Sequence, residues 1–245
     1  MRVLVQSSNH PDDAIDFSAL PRPRLENLSK AADDVLDALR VMGKAETNPV
    51  AQILKHQGEF LESDHYPKGD VYDDDSAAQY YYHAHRADTG EHGHFHTFLR
   101  AKGFPPRAEP APYSGSAQRP LGDDAIAHLV AVSMDRAGLP ITLFTTNRWV
   151  TGETFYAAED VIRMLDRFDI DHTHPCLATN HWISGVLRLF RPQIEALLLQ
   201  RDDTIRRWQL AHPDRDVFED RELEITSEIA IDIDEQAARV DALLA

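Results

Sequence analysis

Residues 80–100 of the chain read YYYHAHRADTGEHGHFHTFLR, and the way this stretch folds decides how everything around it is arranged. Both arms are rich in aromatic side chains, which suit a pleated surface and favour strand over helix. RADTGEHG between them supplies Gly90 and Gly93 for a long hairpin loop. The stretch therefore reads as two antiparallel strands. Residues two apart in a strand share a face, so His83 and His85 fall with Tyr81, and His94 and His96 with Phe98. Tyr80, Tyr82, Ala84, Phe95, Thr97 and Leu99 take the opposite face, which has the composition of a core.

Two histidines from each strand on one face form a candidate metal site. Pairing His85 with His94 places His83 opposite His96, with directly opposed Cβ atoms about 4.5–5.5 Å apart. Imidazoles from that square can converge on one ion at about 2.0–2.1 Å. The competing reading is a solvated histidine-rich face, since the chain has 13 histidines. Matching parity on adjacent strands favours the site. Glu91 and His92, in the loop, are candidates to complete the coordination or to handle a proton as catalytic groups.

Working outward, AIAHLVAVSMDRAGLPITLFTTNRW (125–149) reads as a second hairpin turning at Asp135 to Gly138. Before the first hairpin, SDHYPKGDVYDDDSAAQ (63–79) reads as an acidic surface loop. Upstream of it, Leu28, Ala31, Val35, Leu36 and Leu39 mark a helix, and Asn48-Pro49 caps a second one expected to reach Leu61. After the first hairpin, residues 104–120 hold five prolines and predict a surface excursion. Helical spacing covers 157–168 and 182–205, with a break near Pro192. ELEITSEIAIDID alternates as a strand before a last helix from Glu235. Strands in the middle and helices at both ends predict an α+β fold with a central antiparallel sheet built from two hairpins. One domain is expected over residues 1–245: a helical part (1–65), a β-rich metal-site core (78–150) and a mainly helical part (155–245).

Other candidates are weaker. His128 falls by parity with Val130, Val132 and Met134, as a half-buried histidine of a strand. DHTHPC offers His172, His174 and Cys176 without a partner pair. Arg148 and Glu153, just past a strand end, can bind a substrate carboxylate through the guanidinium fork or hold a structural turn. Phosphate-binding glycine loops, HExxH helices, paired-cysteine zinc motifs and nucleophile elbows are missing from the sequence.

The 25 Lys and Arg stand against 41 Asp and Glu, a net charge of −16. Such a surface repels phosphate backbones, so neither nucleic acid nor an anionic membrane is an expected partner. The single cysteine excludes an internal disulfide, and the N-terminal residues lack the pattern of a signal peptide. A cytoplasmic protein with a small-molecule substrate is expected.

The segments QYYYHAH, GEHGHFHTFLR, LFTTNRWVTGE and LRLFRPQIEALL resemble a bacterial family known as a domain of unknown function, over roughly residues 28–205. The resemblance implies no activity. The paired HxH arrangement is similar in style to metal sites of cupins and carbonic anhydrases, but Glu91 lies six residues after His85 and no second cupin motif follows. Neither fold is carried over.

These readings combine into a metal-dependent enzyme with one transition-metal ion on His83, His85, His94 and His96. All-nitrogen ligation suits iron, copper or zinc. Neighbouring tyrosines favour an oxidoreductase using iron or copper. The alternatives are a zinc-dependent hydrolase or hydratase, in which the metal activates water, and a non-catalytic metal-binding or sensing protein whose coordination is closed.

Overall fold

The computed structural model describes residues 15–85 and 90–245. Residues 86–89 of the expected hairpin loop, and residues 1–14 with the N-terminal expectation, lie outside the described residues. Six described strands form one sheet in chain order, each antiparallel to the next. They are β1 (Tyr66–Tyr72), β2 (Ala78–His83), β3 (Gly93–Arg100), β4 (Ile126–Met134), β5 (Pro140–Thr146) and β6 (Ile225–Ala230). The described helices are α1 (Arg22–Lys44), α2 (Pro49–Leu54), α3 (Arg148–Thr151), α4 (Ala158–Leu165), α5 (Leu177–Leu189), α6 (Arg191–Ala211) and α7 (Ile233–Leu244). The fold is α+β, with helices at the two ends of the chain and the sheet between them.

One face of the sheet makes the core. Tyr80, Tyr82, Phe95, Val130, Val132, Leu143 and Ile229 join one apolar cluster with Val35, Trp182, Ile183 and Leu197 of the helices. Phe95 lies 4.9 Å from the Tyr82 ring and 5.5 Å from Trp182, and the Tyr80 hydroxyl donates to Asn180 Oδ1 at 2.6 Å. These contacts seat α5 beneath β2 and β3. Gly185 lets α5 approach α1 closely, since a Cβ there would stand 2.7 Å from Val35 Cγ2. With the helices gathered against this face, the histidines are left on the other.

Two local expectations change. The segment 63–79 contains β1, whose Tyr66 and Val71 are buried in the core. Its pairing with β2 is irregular between those residues, where Gly69 and Asp70 adopt positive φ, and the bulge hides the strand behind turn-like composition. Helix α2 has the expected Asn48 cap, which accepts from the Ala51 N–H at 2.8 Å, but it stops at Leu54. His56 (φ 65°) and Gly58 (φ 84°) turn the chain away. The break expected near Pro192 is present: α5 and α6 meet at Phe190, with Pro192 in the first turn of α6, where a missing N–H leaves no bond unmade.

Candidate metal centre

In the β2–β3 ladder His83 pairs with His94 and Tyr81 with His96. This is two residues from the expected register. A two-residue shift preserves parity, so the histidines still share a face, but the square does not form as drawn. His85 lies just past the end of β2 and is exposed. Its ring is 4.8 Å from that of His83 and 5.1 Å from that of His94. The core face explains the register: it brings Tyr82 opposite Phe95 and Tyr80 opposite Thr97. Gly93 fits against Tyr82 and His83 only because it lacks a Cβ, which would meet the Tyr82 Oη at 2.5 Å and the His83 carbonyl at 2.6 Å.

His83, His94 and His96 each bring a ring nitrogen to within 4.8 Å of the others, close enough to hold a metal ion. The His83 and His94 Nε2 atoms are 2.7 Å apart. Two nitrogens bound to one ion at about 2.0–2.1 Å in tetrahedral geometry stand about 3.3 Å apart, so an ion requires a spread of about 0.6 Å. His96 Nε2 is buried and has no hydrogen-bond partner. A buried imidazole nitrogen left in this state is costly unless something binds it.

Two of the three rings are oriented from behind. His94 Nδ1 lies 2.5 Å from Glu91 Oε1, and Glu91 Oε2 accepts from the Ser133 hydroxyl at 2.6 Å. His96 Nδ1 lies 2.9 Å from His128 Nε2. Metal-ligating histidines commonly donate their second ring N–H to a carboxylate or another acceptor, which fixes tautomer and orientation. Both partners stand where such acceptors belong.

His128 reaches this face through a bulge. Thr97 pairs with Val130 and Phe98 with His128, so Leu129 is an extra residue between them. Parity counted from the sequence placed His128 with Val130; the inserted residue turns it to the opposite face. The bulge also takes the His128 N–H out of the ladder, and Glu153 Oε2 accepts it at 2.5 Å.

Burial sets the charge state. It lowers the His83 pKa to about 2, helped by His94, His85 and His65. It drives His96 well below the usual histidine value, with His94, His128, His83 and His85 adding to the effect. Burial, followed by Arg201 and His94, lowers His128 to about 3. Neutral imidazole is the form that ligates metals, so these rings are ready at neutral pH. Burial raises the Glu153 carboxyl to about 7, against the opposing pull of Arg201 and its hydrogen bonds.

The remaining candidates are distributed differently. His92 Nδ1 is 2.6 Å from the Tyr82 hydroxyl and its ring stacks near Phe60 at 5.9 Å, so it turns toward the core-face tyrosine. Glu91 is buried behind His94. Arg148 is buried; its Nε donates to the Glu153 carbonyl at 3.1 Å, and its other nitrogens donate to the Gln118 carbonyl and the Glu219 carboxylate. It ties the proline-rich excursion to the sheet end and braces the turn that leads to Glu153. His172 Nε2 lies 2.8 Å from the Tyr72 carbonyl, while Asn180 Nδ2 donates to the His172 and His174 carbonyls. That second HxH is a braced loop.

Sequence reasoning missed Ser133 and His65 and misplaced His128. Ser133 and Ala131 lie opposite His94 and His96 on β4, small residues facing bulky ones. His65, ahead of β1, stacks on Tyr81 with centroids 3.6 Å apart. Tyr81 in turn packs 5.4 Å from His83 and 5.3 Å from His96.

Residues 29–231 match the family model described as Domain of unknown function (DUF6969). No curated protein and no solved structure matches the chain. Among the described residues, no helix is long and apolar enough to cross a membrane.

Proposed function

The chain belongs to the DUF6969 family, whose description carries no activity, and we propose from its own residues that it is a metal-dependent enzyme acting on a small molecule. His83, His94 and His96 hold one transition-metal ion, and three ligands leave a coordination position for substrate or solvent. The observation that carries this reading is the convergence of three imidazoles, the half-buried His83 and the buried His94 and His96, the last two backed by Glu91 and His128. A solvated histidine face needs neither the burial nor the backing partners. His85, exposed beside the His83 and His94 rings, stands at the mouth of the site.

Within this reading the metal is iron or copper and the chemistry is redox. Tyr81 supports it, because its ring packs against two of the ligand rings and a phenol so placed can supply one electron. Zinc would redirect the reading to hydrolysis or hydration, since it polarises water and has no redox chemistry.

The test is elemental analysis of untagged protein, as purified and after reconstitution with each metal. The expected result is about one iron or copper per chain, as for a mononuclear site, lost in His94→Ala and His96→Ala and retained in His174→Ala. One zinc per chain would move the reaction class, and no metal uptake at all would overturn the site.

A further inference from the structure

His96 is held differently from His94. Its Nδ1 faces a second imidazole, His128 Nε2, at 2.9 Å, whereas His94 Nδ1 faces a carboxylate. A neutral imidazole carries one N–H. If His128 Nε2 carried the hydrogen and donated it, His96 would have its own proton on Nε2, the buried atom that has no acceptor, and could not ligate. If His128 Nε2 accepts, the His96 proton sits on Nδ1 and the Nε2 lone pair points into the cluster. Only the second arrangement lets an ion satisfy Nε2.

The backbone is built to keep His128 in this position. The Leu129 bulge turns the side chain onto the histidine face, and Glu153 takes the N–H that the bulge frees from the ladder. Phe98 flanks the His128 ring at 5.2 Å. A strand without the bulge would carry residue 128 on the core face, so the irregularity and its buried carboxylate serve one side chain.

We propose that His128 is a positioning residue for the metal centre: as hydrogen-bond acceptor it holds His96 in the tautomer that presents Nε2 to the ion. The inference rests on the metal reading of His83, His94 and His96. Glu153 supports it one step further out, through the backbone of His128.

The experiment is titration of the full chain with Co(II), followed by its visible absorption, for the wild type, His94→Ala, His128→Phe and His128→Gln. Phenylalanine keeps an aromatic ring and removes the acceptor; glutamine places an amide oxygen at similar reach. The expected result is binding about 10–100-fold weaker in His128→Phe, with a shifted Co(II) band, and recovery of most of both in His128→Gln. Thermal melts without metal report folding separately. Wild-type affinity and spectrum in His128→Phe would overturn the inference, as would equal loss in both His128 variants, which would make the role steric. If His128→Phe does not fold, ¹⁵N NMR of zinc-loaded wild type decides: a proton on His96 Nδ1 supports the inference, and a proton on Nε2 ends it. Wild type that binds no Co(II) removes the site reading and this inference together. Binding lost in His94→Ala but intact in His128→Phe removes this inference alone.

Discussion

Glu91 and His94 face each other at 2.5 Å, carboxylate Oε1 to imidazole Nδ1, with both side chains buried. The carboxylate makes His94 the most strongly oriented of the three candidate ligands and raises the basicity of its far nitrogen. Glu91→Gln keeps the shape and removes the charge. The expected outcome is metal affinity lower by about 10–100-fold, measured by competition with a zinc chelator. Unchanged affinity would mean that the pair holds the loop and not the ligand.

Ser133 is the other support of that carboxylate, through its hydroxyl to Oε2 at 2.6 Å. Ser133→Ala removes one buried hydrogen bond to a charged group, about 1.5–3 kcal/mol. Urea unfolding of the metal-free protein should show this loss. Metal affinity should fall less than in Glu91→Gln, because the His94 contact itself survives. A larger affinity loss in Ser133→Ala would reverse that order of importance.

Much of this arrangement could be read from residues 80–100. Aromatic, histidine-bearing arms predicted two strands, and a period of two separated a histidine face from a tyrosine and phenylalanine face, as the structure has them. Register was beyond reach, because pairing His85 or His83 with His94 satisfies the same parity. The choice is made by the core-face pairing of Tyr82 with Phe95 and by the fit of Gly93 under Tyr82 and His83, three-dimensional contacts without a local signature. Bulges account for two further failures. One in β1 disguised a strand as a loop, and one at Leu129 sent His128 to the face opposite the one its parity assigned. Three extra residues in β1 and one in β4 break the period in a way that counting cannot detect.

Metal-free protein should lose stability on acidification through these same rings. In the folded chain His83 sits at about 2 and His128 at about 3, and His96 is also depressed, whereas unfolded histidine titrates near 6.5. Below about 6.5 the unfolded state therefore binds more protons than the folded one. The stability of the neutral cluster is present above that pH and is lost as pH falls toward the folded values. Each such histidine contributes a slope of up to about 1.4 kcal/mol per pH unit. Urea midpoints at pH 7.5 and pH 5 test this, and a flat profile would contradict a buried neutral cluster.

Glu153 opposes that trend. Its folded pKa of about 7 lies above the ordinary value of 4.5, so between these values the folded state holds the extra proton. Its contribution to stability is present below about 4.5 and is lost as pH rises through 7. Glu153→Gln retains an acceptor for the His128 N–H and removes the titration. The expected outcome is a steeper acid loss than in wild type between pH 7 and 5, by up to about 1.4 kcal/mol per pH unit. An identical or shallower slope would place the carboxyl's titration outside this range.

Gly93 is where stability and the site are coupled most directly. It begins β3 beside His94, and a Cβ there would stand 2.5 Å from the Tyr82 Oη and 2.6 Å from the His83 carbonyl. The carbonyl belongs to the backbone of a ligand-bearing strand and cannot swing aside as a side-chain tip would. Gly93→Ala therefore has to push β2 and β3 apart at the His83–His94 pair, and overpacking of this kind costs about 1–3 kcal/mol. The His83 and His94 rings, 2.7 Å apart at Nε2, would be displaced together with their strands. The expected outcome is a lower melting temperature without metal and a further loss of metal affinity, whereas Gly43→Ala on α1, where a Cβ meets nothing within 4 Å, should lower neither. Full metal affinity in a destabilised Gly93→Ala would show that the ligand geometry does not depend on this close approach of the strands.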